Sequence, residues 1–355
     1  MSSRYLLLLS IKDEIMAILP IFIPHAGCPH QCVFCNQKTI SGQKSAAVVG
    51  TKAQIRRWLQ WLKPSEDNEA AFYGGSFTGL DRSLQEQLLG LTDELVKQGS
   101  IGRVRLSTRP DYIDGEELKL LQQHHVKLVE LGVQSLDDAV LQKAERGHTA
   151  EAVYAAHKLL RDYGFKTGIQ LMVGMPGQDF ASVQDTAAKV AQLRPDIARI
   201  YPLLVIKDTP LAQSFAKGGF VPLSLEEAVE QSAFVYKALT QAGIKVIRIG
   251  LQPDEELCEP GNIIAGPFHP SMGELVKSRV LRNHFTPILQ ELVQGGAKGV
   301  LFHCPRKMES KLRGLKNSNM QYWQQQFPAL EIHLMPSSGE GINLCLMGSA
   351  CGLVK

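Results

Sequence analysis

Short apolar runs of β type alternate with longer amphipathic segments from Met16 to Gly250. This pattern predicts an α/β protein, a partial (β/α)6 TIM-like barrel with a small C-terminal α+β extension. Two other observations point the same way. The 355 residues are enough for one large barrel with an appendage. After Gly250 the texture changes to "LQPDEELCEPGNIIAGPFHPSMGE", whose Pro and Gly residues break the alternation and read as a loop. The expected organisation is an N-terminal extension over 1–16, a core barrel over 17–251 and a C-terminal extension over 252–355.

The strands are expected at "AILPIFI", "AAFYGG", "RVRLST", "KLVELGVQ", "KTGIQLMV" and "IARIYPLLV". Helices lie between them, for example at 83–98 and 150–163, and "LEEAVEQSAFVYKALTQAG" forms another that stops at Gly243 before a last strand, "IKVIRIG". Right-handed crossovers bring the strand ends to one rim, where functional groups gather. The extension reads as a helix over 272–294, a strand "GVLFHCP", a helix to about 326, and strands "LEIHLMP" and "INLCLMG". The start, "YLLLLSI", is short and runs directly into Lys12, Asp13 and Glu14, so it does not read as a signal peptide; an upstream start codon, with Met16 as the working start, accounts for it.

Composition narrows the setting. A net charge of +3, from 38 basic and 35 acidic residues, demands no polyanionic partner. Seven cysteines, an odd and sparse set, do not make a secreted disulfide framework, and a cytoplasmic location fits better. No run approaches the roughly 18 apolar residues of a membrane span.

Three of the seven cysteines crowd into "CPHQCVFC", residues 28–35. Gly27 and Pro29 impose irregular backbone on which the thiolates of Cys28, Cys32 and Cys35 converge, as metal binding requires. Zinc needs a fourth ligand, which His25 or His30 supplies. A four-iron cluster needs none, because three cysteines leave one iron open for a substrate or cofactor. Both histidines otherwise read as loop residues. The second strand ends in "FYGGSFTG", whose adjacent glycines expose main-chain carbonyls as acceptors for an ammonium group; alone they read equally as a tight βα turn.

In combination, the cysteine triplet with Phe34 before its third cysteine, "FYGGSFTG", "STRPDYI", "ELGVQSLDDAVLQKAERGHT" and "MVGMPGQ" resemble the radical S-adenosylmethionine (SAM) superfamily. More closely, over residues 17–250, they resemble the radical domain of the Elongator catalytic subunit and its prokaryotic relatives. The resemblance implies a [4Fe-4S] cluster on Cys28, Cys32 and Cys35, with the fourth iron chelated by the methionyl end of SAM. Gly74, Gly75 and Ser76 are implied to receive its amino group, and Arg146, otherwise a solvated helix-end charge, its carboxylate. Gln134, and with it Gln170 where related enzymes carry an acidic residue, are implied at the ribose. Ser107 and Arg109 are implied at ribose or substrate, or as turn caps. Phe34 is implied against adenine, whose edge bonds the main chain of Tyr201–Val205.

The implied reaction is the cofactor's. An electron, from a small reductant protein such as flavodoxin or ferredoxin, enters the cluster and the sulfonium carbon–sulfur bond breaks. The resulting 5′-deoxyadenosyl radical abstracts hydrogen from an unactivated carbon. No acid–base dyad is expected. The Elongator-like proteins modify wobble uridine of tRNA with a second, acetyltransferase-type domain. Here the last hundred residues or so are short for one and show no recognisable acyl-CoA loop, and the first cysteine gap is shorter. tRNA is thus one expected substrate. An oxygen-independent coproporphyrinogen oxidase or a haem carrier, which share the "GVQ" strand, are the alternatives.

Lys307, Lys311 and Arg313, between Arg306 and Lys316, make the best basic cluster, but at about 100° per residue they spread around a helix and read as a solvated surface. "AGPFHPSMGELVKSR", with His269, Lys277 and Arg279, resembles the segment that follows the core in Elongator-like proteins, where it can close over substrate; a loop capping the barrel is the equal alternative. Cys258, Cys304, Cys345 and Cys351 show no metal-type pairing and are expected as buried free thiols.

Overall fold

The computed structural model describes residues 6–7, 17–23, 27–28, 32–36, 48–253 and 257–347. His25, His30 and Cys351, and the expected working start at Met16, lie outside them. The chain forms two compact units, residues 15–270, and residues 271–355 together with 1–14. The first strand, β1 (Leu6–Leu7), belongs to the smaller unit.

The larger unit runs β2 (Ile18–Phe22), α1 (Val48–Leu59), β3 (Glu69–Tyr73), α2 (Arg82–Lys97), β4 (Arg103–Thr108), α3 (Gly115–Gln123), β5 (Val126–Gln134), α4 (Asp138–Lys143) and α5 (Ala150–Asp162). It continues with β6 (Lys166–Val173), α6 (Phe180–Leu193), β7 (Ile197–Pro202), β8 (Val205–Ile206), α7 (Pro210–Ala216), α8 (Leu225–Gln241), β9 (Lys245–Ile249) and β10 (Ile263–Ala265). Seven parallel strands follow the order β2-β3-β4-β5-β6-β7-β9. Arg199 of β7 reaches Tyr73 of β3 with three strands between them, so the sheet is curled into a half-barrel. The expected loop after 250 contains β10, which pairs antiparallel with β8; that pairing holds the segment to this unit, and the division falls at 270/271 rather than near 252.

Strand alternation sorts the side chains into two layers. Phe72, Leu106, Val129, Leu131, Leu171, Ala198 and Ile200 point outward and are buried under the helices. The helices begin at side-chain caps that satisfy their first N–H groups: Asp114 Oδ1 accepts from Glu117 N, Thr149 Oγ1 from Ala152 N, and Ser224 with Glu227 makes a reciprocal capping box. The inward layer is polar and forms the lumen.

In the smaller unit, α9 (Met272–Gln294), β11 (Gly299–Pro305), α10 (Arg306–Arg313), α11 (Ser318–Gln326), β12 (Glu331–Ser337) and β13 (Ile342–Leu346) enclose a core of Phe285, Phe302 and Trp323. Phe302 and Trp323 stack with centroids 5.6 Å apart. The single helix expected up to about 326 is two, because Gly314, Lys316 and Asn317 all have positive φ and break it. Asn319 fills the break, donating to Ser278 O at 3.0 Å and Leu312 O at 3.1 Å. Two of the basic residues there are ion-paired, Arg313 with Glu309 at 2.8 Å and Lys311 with Glu274 at 3.7 Å. Among the other cysteines, Cys304 is buried as expected; Cys258 is exposed and Cys345 is disulfide-bonded, so the expectation of buried free thiols fails at both.

Candidate active site at the thiol loop

The loop after β2 lies backbone to backbone on the β3 loop. Gly27 has φ +69°, and a Cβ there would lie 2.1 Å from Ser76 O; a Cβ on Gly79 would lie 2.1 Å from Gly27 O. Only glycine fits either position. Gly74, with φ +90°, turns the same loop. Ser76 N–H donates to Cys28, and Ser76 Oγ is bound within a hydroxyl cluster: 2.9 Å to Thr108 Oγ1, which is itself 2.6 Å from Thr78 Oγ1. Arg109 N donates to Ser76 Oγ at 3.3 Å.

Cys28 is exposed, Cys32 buried and Cys35 half-buried, and none of the three is in a disulfide. The Cys28 thiol is raised, first by loss of hydration and then by Cys32, while Arg109, Arg146 and the Ser76 N–H oppose this. Val33 N donates to Ala144 O, and Val33 O accepts from Leu211 N at 2.8 Å, clamping the loop between α4 and α7. Phe34 packs with Met172 and with Leu203 and Val205.

Arg146 follows α4 and sits between two residues of positive φ, Glu145 and Gly147. It is 7 % exposed, so it is not a solvated helix-end charge. Its Nη1 donates to Cys32 Sγ at 3.1 Å and its Nη2 to Gly132 O at 2.6 Å. Nη2 also lies 3.3 Å from His148 Nε2, and burial followed by the Arg146 charge holds that imidazole neutral, down to about 4. Arg146 Nε is buried with no hydrogen-bond partner among the described residues. Gln134 ends β5 at φ +66°, beside the β-bulge after Gly132 that tips its amide toward Arg146.

The structure thus brings Cys28, Cys32, Phe34, the Gly74–Ser76 turn, Gln134 and Arg146 to one rim. Ser107 and Gln170 sit together in the lumen, with Gln170 Nε2 3.4 Å from Ser107 Oγ. Arg109 turns to Asp111, which it grips at 2.9 and 2.8 Å. Sequence reasoning missed Thr78, Thr108, His148 and Asp111, and also a buried ion network in the lumen. There Arg105 meets Glu69 at 3.3 Å and Glu130 at 3.7 Å, and Arg199 Nε meets Glu130 at 2.5 Å. Gly168 leaves room for the crossing: a Cβ there would lie 2.8 Å from Glu130 Cγ. The period-2 placement of these charges in the strands was the available signal.

Among the described residues, no three His, Cys, Asp or Glu side chains come close enough to hold one metal ion. The three thiols and the orphaned Arg146 Nε fit a cluster with a carboxylate-bearing ligand beside it.

The model of the Radical SAM superfamily matches residues 22–190, and that of the Radical_SAM C-terminal domain residues 195–282. The tRNA uridine(34) acetyltransferase of Methanocaldococcus jannaschii is 27% identical over 303 residues, 74% of this chain and 55% of that protein. Human Elongator complex protein 3 is 26% identical over 313 residues, 75% and 56% of the two chains. Heme chaperone HemW of Bacillus subtilis is 25% identical over 224 residues, 61% and 59%. The chain therefore spans about half the length of these curated relatives. In structure it resembles the archaeal Methanocaldococcus infernus Elp3, with a TM-score of 0.61 and 24% identity over 76% of this chain and 63% of that one. No helix among the described residues is long and apolar enough to cross a membrane. With both domains matched in order along a seven-stranded half-barrel, the chain belongs to the radical SAM superfamily of enzymes.

Proposed function

We propose that this protein cleaves S-adenosylmethionine at a cluster held by Cys28, Cys32 and Cys35 and directs the radical at a substrate in the lumen, with tRNA as the first candidate. The observation that carries the reading is the rim: a thiol loop apposed to a glycine turn, with a buried arginine whose Nε lacks a partner. When bound, the cluster and SAM supply reductive carbon–sulfur cleavage to a 5′-deoxyadenosyl radical.

The chain's own residues bind and orient. Gly74 and Gly75 offer unshielded backbone to an ammonium group, and Arg146 offers Nε to a carboxylate while Cys32 Sγ holds its Nη1 and Gly132 O and His148 hold its Nη2. Gln134 presents an amide able to donate and accept at a diol. Phe34, with Leu203 and Val205, provides an apolar wall for a purine.

The tRNA reading rests on the uridine(34) acetyltransferase and Elongator relatives. Gentle purification is expected to retain tRNA that is released by rising salt. Failure to retain or shift any RNA at low salt contradicts it. The HemW relative supports a second reading, haem carriage. Tight stoichiometric haem binding without deoxyadenosine formation establishes that one instead.

A further inference from the structure

Near the ends of β3 and β7, two lumen-facing side chains make an arrangement to which no cofactor role has been given. Arg199 of β7 is 8 % exposed and spends Nε and one edge of Nη2 on Glu130, at 2.5 and 3.2 Å. Two more of its five donors go to phenols: Nη2 donates to Tyr73 Oη at 3.0 Å and Nη1 to Tyr201 Oη at 3.4 Å. Each phenol oxygen is therefore an acceptor toward the guanidinium, and each O–H proton has no acceptor among the described residues. Two donors that leave one cation are thus unspent.

Both rings are half-buried, as are Gln170 and Met172, whereas the strand residues between them, Phe72, Ile200 and Leu171, are at most 2 % exposed. The phenols therefore face the open lumen. The charges around them lean positive: Arg105 and Arg199, with the half-buried Arg103, stand against Glu69 and Glu130. Tyr73 is pushed up to about 12, chiefly by burial, and stays a donor at any working pH. A cation is disfavoured there and an oxygen acceptor is favoured.

We propose that Tyr73 and Tyr201, backed by Arg199, form a paired hydrogen-bond donor site for a carboxylate or carbonyl oxygen on the part of the substrate that enters the barrel. This rests on the reading of the lumen as the substrate chamber, and it assigns the recognition chemistry on its wall. The pair accepts oxygen from one direction only, because Arg199 closes the other.

The test is binding of two small probes to the full chain by saturation-transfer NMR, with acetate as the carboxylate and acetamide as its neutral carbonyl counterpart. Tyr73→Phe, Tyr201→Phe and the double variant keep the rings and remove only the donors. Acetate is expected to bind about tenfold more weakly to the double variant, the effect of losing one to two net hydrogen bonds. An equal loss for acetamide identifies a carbonyl site, and a loss for acetate alone a carboxylate site. Undiminished binding in both single variants, or no binding of either probe to the unaltered chain, overturns the proposal. Probe binding needs neither cluster nor SAM, so failure of deoxyadenosine formation with probe binding intact counts against the proposed function and not against this site.

Discussion

Phe72, Leu106, Leu131, Leu171 and Ile200 face the helices and are fully buried, while Tyr73, Arg105, Glu130, Gln170 and Arg199, their neighbours or near neighbours on the same strands, face the lumen. The outer layer behaves as an ordinary core, where stability comes from area removed from water and close packing. The inner layer has two buried carboxylates and two buried arginines, whose desolvation is offset only by pairing. The comparison teaches that one face of each strand carries the fold, and that the other trades stability for fixed polar groups under the rim.

The largest expected effect is on the inner face. Glu130→Leu leaves Arg199 and Arg105 each short of a partner and is expected to cost about 3–5 kcal/mol in denaturant unfolding. Adding Arg199→Met is expected to recover part of that, which a simple loss of packing does not allow. Leu106→Ala on the outer face is expected to cost about 3 kcal/mol through a cavity, with no rescue by any lumen substitution. Equal behaviour of the two faces in this pair of experiments breaks the comparison.

The seven parallel strands were legible because alternation is a local signal, and "KLVELGVQ" or "KTGIQLMV" announce themselves without a partner. The thiol loop, the glycine turn and Arg146 were legible as motifs. The lumen was not, since its contacts join residues far apart in sequence, some across strands that are not adjacent: Glu130 meets Arg199 69 residues away on the next strand but one, and Gly168 matters only because Glu130 of the neighbouring strand lies over it. The break between α10 and α11 was not legible either, because "RGLKN" looks helical until Lys316 and Asn317 take positive φ. Arg109 illustrates the same limit at the rim: its motif position is right for a ligand-facing residue, yet Asp111 two residues on holds its guanidinium.

Smaller effects sharpen the picture where the layers meet. Thr108→Val removes the hydroxyl shared by Ser76 and Thr78 and is expected to cost about 1–2 kcal/mol, read as a lower melting temperature. His157, on the outer side beside Thr167, is held below its ordinary value, first by burial and then by Arg161. The unfolded chain therefore takes up that proton first, so stability is full above about pH 6.5 and declines as pH falls below it. His157→Gln is expected to flatten that limb in pH-dependent melting curves.

The most direct measurement is anaerobic. The reconstituted full chain and its Cys32→Ala variant are given S-adenosylmethionine and dithionite, and 5′-deoxyadenosine is quantified. The account predicts deoxyadenosine from the unaltered chain and none from the variant. A fully loaded cluster that forms no deoxyadenosine, with or without tRNA, contradicts it.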